Sequence, residues 1–238
     1  IKENLSILLI LYEENFNTVS KCLENLKDFK VIIIDNGDDK LLREKIKLKF
    51  KIYKYFLNKK NVGFPAAANQ GIMTCDTEYL FILGPDCLMR YQDIENLVIA
   101  KKKYENCLVV SPTFYDTEGN LEYNGGLLPE NGQKDKVLQL EGDTCVESIL
   151  TTAVLFKKDE IIKFGLIDEN FFLYFGDDDL SRRIKKKKKS IVQVFQSKAI
   201  HTHGNLKIKN KFKKVFFRNF YYTLGELLYY HKVNIHQD

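Results

Sequence analysis

Tryptophan is absent from this 238-residue chain, and proline and methionine are scarce, at four and two residues. With so few prolines, most segments keep every backbone donor that a helix interior or a central strand requires. The five cysteines (Cys22, Cys75, Cys87, Cys107, Cys145) include no CxxC pair, and an odd number cannot pair completely. A disulfide framework and a zinc ribbon are therefore excluded, and buried thiols in a reducing, cytoplasmic setting are expected. No apolar stretch is long enough to span a bilayer, the longest being Ile7 to Tyr12, and no secretory leader is visible. Also missing are a Walker-type phosphate loop, a dinucleotide fingerprint and an HExxH metalloprotease helix. Ser148, Ser181 and Cys145 lack the local signature of an activated nucleophile, which disfavours nucleophilic hydrolysis.

What is present is apolar and aromatic residues in quantity, with 17 Phe and 13 Tyr, enough for one large α/β domain. The net charge is only +5, but it is unevenly spread. Seven of the eight residues from Arg182 to Lys189 are basic. Six more (Lys207, Lys209, Lys211, Lys213, Lys214 and Arg218) fall in a stretch without an acid. Such runs serve as solvated faces or as surfaces toward anionic partners. The first run has no interleaved aromatics, so nucleic acid is not the expected partner.

The N-terminal half alternates apolar runs with helical periodicity. Strands are expected at Leu5 to Leu11, Val31 to Ile34, Ile52 to Phe56, Tyr79 to Leu83 and Cys107 to Ser111. Helices are expected from Phe16 to Leu26, Leu41 to Phe50, Ala66 to Met73 and Ile94 to Tyr104, the first capped by Asn15 or Asn17. This order implies a mostly parallel, doubly wound sheet that binds ligands at the carboxyl ends of its strands. Residues 112–143, rich in Gly, Asn, Asp and Pro, read as hairpins or loops. Beyond them come a strand from Cys145 to Phe156, short helices at Lys158 to Phe164 and Leu180 to Ile184, and a strand from Ile191 to Phe195. A long helix follows from about Lys209 to His231, with Phe217, Phe220, Tyr221, Leu224, Leu227 and Leu228 on one stripe.

The acids fall where that architecture puts a ligand. Asp35 ends the second strand and Asp86 follows the fourth. Asp177-Asp178-Asp179 follows the aromatic run Phe171 to Phe175, where three adjacent carboxylates are costly unless a cation, a proton transfer or a helix start offsets them. Capping accounts comfortably for one of the three. Asp35 and Asp86 serve equally as turn residues. Together the acids suit a divalent cation on a diphosphate, with one carboxylate left as general base. Asn61, Gly63 and Asn69 flank a small-residue helix start that allows close approach of a ligand, or close packing of helix on sheet. His201 and His203, one residue apart, are candidate metal or phosphate contacts, or plain loop histidines.

Five motifs occur in order: Val31-Ile-Ile-Ile-Asp35-Asn36-Gly37; Asn61-x-Gly63-Phe64-x-Ala-Ala-x-Asn69-x-Gly71; Leu83-Gly-Pro-Asp86; Phe171-Phe-x-Tyr174-Phe-x-Asp177-x-Asp179-Leu180-x-x-Arg183; and a late His. Over roughly residues 5 to 204 the chain resembles the family 2 glycosyltransferases, most of all their bacterial rhamnosyltransferase-like branch. The resemblance implies a GT-A fold over 1–206 with a basic, aromatic helical extension over 207–238. It also implies inverting transfer from a nucleotide-diphosphate sugar and a Mg or Mn ion. Carried over, Asp35 contacts the nucleotide base, and Asn61, Gly63 and Asn69 lie on the donor side. Asp86 is the last acid of a shortened metal element, and His201 or His203 completes the metal and diphosphate site. Asp177 is the general base, Asp179 shares its motif, Arg183 lies on the donor side, and Arg182 or Arg183 assists the departing diphosphate. Three positions depart from the pattern: Leu11-Tyr12-Glu13 replaces Thr-Tyr-Asn, Gly84-Pro85-Asp86 replaces Asn-Pro-Asp, and Gly176 replaces a Glu.

The implied acceptor is a glycan or a lipid-linked glycan in cell-surface polysaccharide synthesis, with the C-terminal basic and aromatic segment available for peripheral contact with a membrane. A sugar-nucleotide nucleotidyltransferase would carry a Gly-rich loop with Arg and Lys after the first strand, where Leu11 to Asn17 offers acids instead. A degenerate, non-catalytic sugar-nucleotide-binding or basic binding protein is the alternative that Gly84 and Gly176 keep open.

Overall fold

The computed structural model describes residues 2–123, 126–132, 140–203 and 211–235. Its order begins β1 (Leu5–Leu11), α1 (Phe16–Asn25), β2 (Lys30–Asp35), α2 (Lys40–Lys49), β3 (Lys54–Leu57), α3 (Phe64–Thr74), β4 (Tyr79–Leu83). It continues β5 (Cys87–Leu88), α4 (Tyr91–Lys103), β6 (Cys107–Tyr115), β7 (Leu121–Tyr123), β8 (Thr144–Val146), β9 (Ala153–Lys157) and α5 (Lys158–Phe164). The chain closes with α6 (Gly176–Lys186), β10 (Ser190–His201) and α7 (Lys211–Ile235).

All seven residues of β1 are buried, which explains its unbroken apolar run. Leu5, Ile7, Leu9 and Leu11 join the core on one face of the sheet, while Leu8 and Ile10 join the core on the other. The strand order is β3-β2-β1-β4-β9-β6-β10-β5, with β7 on β6 and β8 on β10. The sheet is mixed and mostly parallel: β1 runs parallel to β2 and β4, β2 to β3, and β6 to β10. Between its two parallel halves lies β9, antiparallel to both β4 and β6. That insertion leaves β1, β2, β4, β6 and β10 pointing the same way, so their carboxyl ends share one edge.

The expected single strand from Cys145 to Phe156 is two strands, β8 and β9. Ser148 and Ile149 turn away in between to meet α6, Ser148 Oγ donating to Asp178 Oδ1 at 3.1 Å and Ile149 N to Ser181 Oγ at 3.2 Å. The last strand runs on past Phe195 to His201 across a register shift between Val194 and Lys198. Buried Asp93 of α4 pins this bulge: its carbonyl accepts from Ser197 Oγ at 2.7 Å and its carboxylate from Lys198 N at 3.0 Å.

No aspartate caps α6. Its N-cap is Phe175 in a left-handed conformation (φ 66°), and Asp177, Asp178 and Asp179 all lie inside the first turn, where the helix dipole favours negative charge. The left-handed residue is held by rings, since Phe175 packs edge-on against Tyr222 and tilted against Tyr229 of α7. The contact face of α7 is rotated from the expected stripe. Tyr221, Leu228, Tyr229 and Val233 meet the core, whereas Phe220, Leu224 and Leu227 are exposed. Gly225 makes this docking possible, because a Cβ there would lie 2.8 Å from the Tyr174 carbonyl. Lys207 and Lys209 lie outside the described residues.

Candidate active site

The shared sheet edge gathers three segments, after β1, after β4 and at the end of β10. After β1, the chain turns through Glu13 (φ 54°) into Glu14, ahead of the cap Asn15. Glu14 is buried, its Oε2 has no hydrogen-bond partner, and its pKa is raised to about 7 by burial and then by the charge of Asp86. After β4, the Gly84–Cys87 turn closes with a 2.9 Å hydrogen bond from Cys87 N to Gly84 O and presents Asp86. At the end of β10, His201 pairs with Cys87, and Thr202 donates from its N and Oγ1 to the Asp86 carbonyl at 2.9 and 2.8 Å.

These backbone ties set His201 Nε2 at 3.3 Å from Asp86 Oδ2. On the far side of the ring, Nδ1 lies 3.2 Å from Glu122 Oε2, and the other oxygen of Glu122 meets His203 Nε2. Burial pushes the His201 pKa down, but Asp86 and then Glu122 outweigh it, and the net direction is up. The Asp86 carboxylate offers the hard oxygen that Mg or Mn prefers, and the borderline imidazole nitrogen of His201 fits Mn better than Mg. Glu14, whose pKa is raised in part by the charge of Asp86, has an oxygen without a hydrogen-bond partner among the described residues, and a nearby cation would compensate that cost.

Asp177 lies half-buried on the first turn of α6. One short segment links it to Asp86: Ser148 and Ile149 bond to Asp178 and Ser181, while Thr152 O accepts from Gly84 N at 2.6 Å. Residues 148–152 thus brace both acid-bearing turns.

The other candidate residues hydrogen-bond within the chain. Asp35 is buried; its Oδ1 accepts from Gly37 N at 2.9 Å, and its Oδ2 from Tyr55 at 2.6 Å and from Arg43 Nε at 3.4 Å. Asn69 clamps the loop before the aromatic run, donating to the Ile167 carbonyl and Glu169 at 2.8 Å and accepting from Ile167 N at 3.2 Å. Arg183 binds Asp179 Oδ2 at 2.8 Å and the Leu166 carbonyl at 2.7 Å. Asp179, 1% exposed, also pairs with Lys232 of α7. Asn61 Oδ1 accepts from Gly63 N at 2.9 Å, and Gly63 (φ 86°) lets Phe64 N reach the Phe172 carbonyl at 2.8 Å.

Glu14 and Glu122 were missed in the sequence. Glu14 had a faint signal in the acids of Leu11 to Asn17. Glu122 had none, since it lies in a loop-like region and reaches His201 only because β7 pairs with β6. The four buried thiols, Cys22, Cys75, Cys87 and Cys107, are as expected, while Cys145 is free and exposed.

A mostly parallel sheet with an acid-and-histidine cluster at its carboxyl edge and a C-terminal helix is a GT-A-like fold. The chain matches the model for "Glycosyl transferase family 2" over residues 6–161 and belongs to that family; it is a glycosyltransferase that uses a nucleotide donor. Among curated proteins it is similar to dTDP-rhamnosyl transferase RfbF of Shigella flexneri, 22% identical over 216 residues, covering 88% of this chain and 72% of the relative. It is also similar to the low-salt glycan biosynthesis hexosyltransferase Agl10 of Haloferax volcanii, 22% identical over 216 residues, covering 84% of this chain and 67% of that one. The fold matches the crystal structure of GalNAc-T7 with UDP, GalNAc and Mn2+ at a TM-score of 0.67 and 15% identity, over 84% of this chain. The present chain spans 44% of that protein. Among the described residues, no helix is long and apolar enough to cross a membrane.

Proposed function

We propose that the protein is an inverting hexosyltransferase, acting in cell-surface polysaccharide synthesis, that moves a sugar from a nucleoside-diphosphate donor to a hydroxyl of a glycan or lipid-linked glycan. The observation that carries this reading is the bracing of the Asp177 and Asp86 turns by one segment, residues 148–152. An acceptor hydroxyl titrates far above neutral pH, so a carboxylate must take its proton as the new glycosidic bond forms. Asp177 is assigned that role. Asp179, held by Arg183 and Lys232, fixes the turn that carries it.

Asp86 and His201 are assigned to hold a Mg or Mn ion, which when bound neutralises charge developing on the departing diphosphate. Glu14 contributes further negative charge beside Asp86. Asn61 and Gly63 shape the donor side, where close backbone approach is already in use against Phe172. Asp35, oriented by Arg43 and Tyr55, is assigned to the nucleotide base. The exposed Phe212, Phe216, Phe220 and Leu227 of α7, in the same helix as Lys214 and Arg218, support a peripheral contact with a membrane that carries the acceptor.

The test is a thermal-shift screen of nucleoside diphosphates and their sugars, with and without Mn, followed by an assay of nucleoside diphosphate released with candidate acceptors. A donor that raises the melting temperature and turns over only with acceptor is expected. Binding without turnover across all acceptors would favour a sugar-nucleotide-binding protein, and the anomeric configuration of the product decides inversion.

A further inference from the structure

The metal element of this chain keeps one carboxylate, Asp86, and a side chain at Gly84 would compete with it for space. A Cβ there would lie 2.9 Å from Asp86 Oδ1 and 3.0 Å from Thr152 Cγ2, so a side chain at that position would push Asp86 aside. His201 must therefore present its Nε2 reliably. The backbone ties through Cys87 and Thr202 place its ring, but they leave open which nitrogen carries the proton.

Glu122 Oε2 is buried without a hydrogen-bond partner among the described residues, so an N–H on His201 Nδ1 would satisfy it. This oxygen sits 3.2 Å from His201 Nδ1, on the side of the ring away from Asp86. The second oxygen of Glu122 is engaged by His203, which doubles back at φ 48° so that the two imidazoles lie with centroids 4.1 Å apart. His203 is mostly exposed (64%), whereas Glu122 and His201 are 22% and 19% exposed. A histidine that ligates a metal generally donates its other ring N–H to a carboxylate, which fixes the tautomer and raises ligand basicity. We propose that Glu122 is the positioning residue of the cation site: it accepts the Nδ1–H of His201 and so turns the Nε2 lone pair toward Asp86. His201 is then the ligand and His203 an outer brace on Glu122. This rests on the reading of Asp86 and His201 as the cation-binding pair.

The experiment is a titration of the full chain with Mn2+ alone, following free Mn2+ by electron paramagnetic resonance at constant pH, with melting temperature recorded for each variant. Glu122→Ala is expected to weaken Mn2+ binding about 10- to 100-fold, and Glu122→Gln to fall between it and wild type, since its amide oxygen still accepts the bond without the charge. Should Glu122→Ala fail to fold, Glu122→Gln carries the comparison. His203→Ala is expected to lose far less than His201→Ala. Wild-type affinity in both Glu122 variants would overturn the inference alone. Equal losses at His203 and His201 would put the ion on the Glu122 side of the ring and also overturn it. A wild-type chain that takes up no Mn2+ would overturn the metal assignment of the proposed function, and this inference with it.

Discussion

Lys232, near the end of α7, forms an ion pair with Asp179 in the first turn of α6. The same ammonium reaches Asp168 at 2.8 Å, and the Lys232 carbonyl accepts from Arg182 Nη2 at 3.0 Å. One residue thus ties the C-terminal helix to the turn that carries Asp177. Lys232→Met leaves Asp179, 1% exposed, with Arg183 as its remaining cation. A buried charge left with no partner costs about 3 kcal/mol or more, but with Arg183 in place the loss is that of one charged hydrogen bond, about 1.5 kcal/mol. Urea denaturation should show a loss of about that size, and an unchanged midpoint would refute the tie.

The Asp168–Lys232 pair sets a pH dependence. Burial raises the Asp168 pKa, but the Lys232 hydrogen bond and charge and the Asn170 contacts outweigh it, so the net direction is down. A carboxyl depressed in the folded state contributes stability that is present above its unfolded value, about 3.9, and is lost as pH falls through the folded value. Melting temperatures of wild type and Asp168→Asn should therefore differ by a constant amount from pH 5 to 7 and converge below about pH 4. A difference that persists at the lowest pH would refute the linkage.

Gly63 adopts φ 86°, ψ 165°, and a Cβ there would stand 2.5 Å from the Phe172 carbonyl oxygen. Gly119 has a similar φ of 87° with open space around it. Gly119→Ala should cost only the left-handed strain, about 1 kcal/mol. Gly63→Ala should cost about 3 kcal/mol, at the upper end for such backbone positions, and should loosen the Phe64–Phe172 hydrogen bond. The difference between their denaturation midpoints isolates the close approach, and equal midpoints would deny it.

Asp177→Asn keeps size and hydrogen-bonding shape while removing the base. Transfer should fall by about 100-fold or more with donor binding retained. Turnover at the wild-type rate would move the base role elsewhere, and lost donor binding would make Asp177 a binding residue.

Where a signal was local, the sequence was legible. The apolar run of β1, the Asx turn at Asp35-Asn36-Gly37, the Asn15 cap and the short α5 all depend on neighbours within a few residues. Elements set by distant partners were misread. The turn between β8 and β9 answers to α6, the length of β10 to Asp93 of α4, and the orientation of α7 to the rings around Phe175.

The candidate site divides the same way. The order of the elements put acids at strand ends, because strand polarity carries every βα turn to one edge, and the motifs' resemblance to family 2 glycosyltransferases implied a nucleotide-sugar enzyme. Only the tertiary structure decided what each of these side chains touches. It ties Asp35, Asn69, Asp179 and Arg183 to partners in other segments, and it sets Glu122 beside His201 and Glu14 within the field of Asp86. A carboxylate's role is set by which cations and donors surround it, and those come from segments up to a hundred residues away, such as Ile167 beside Asn69.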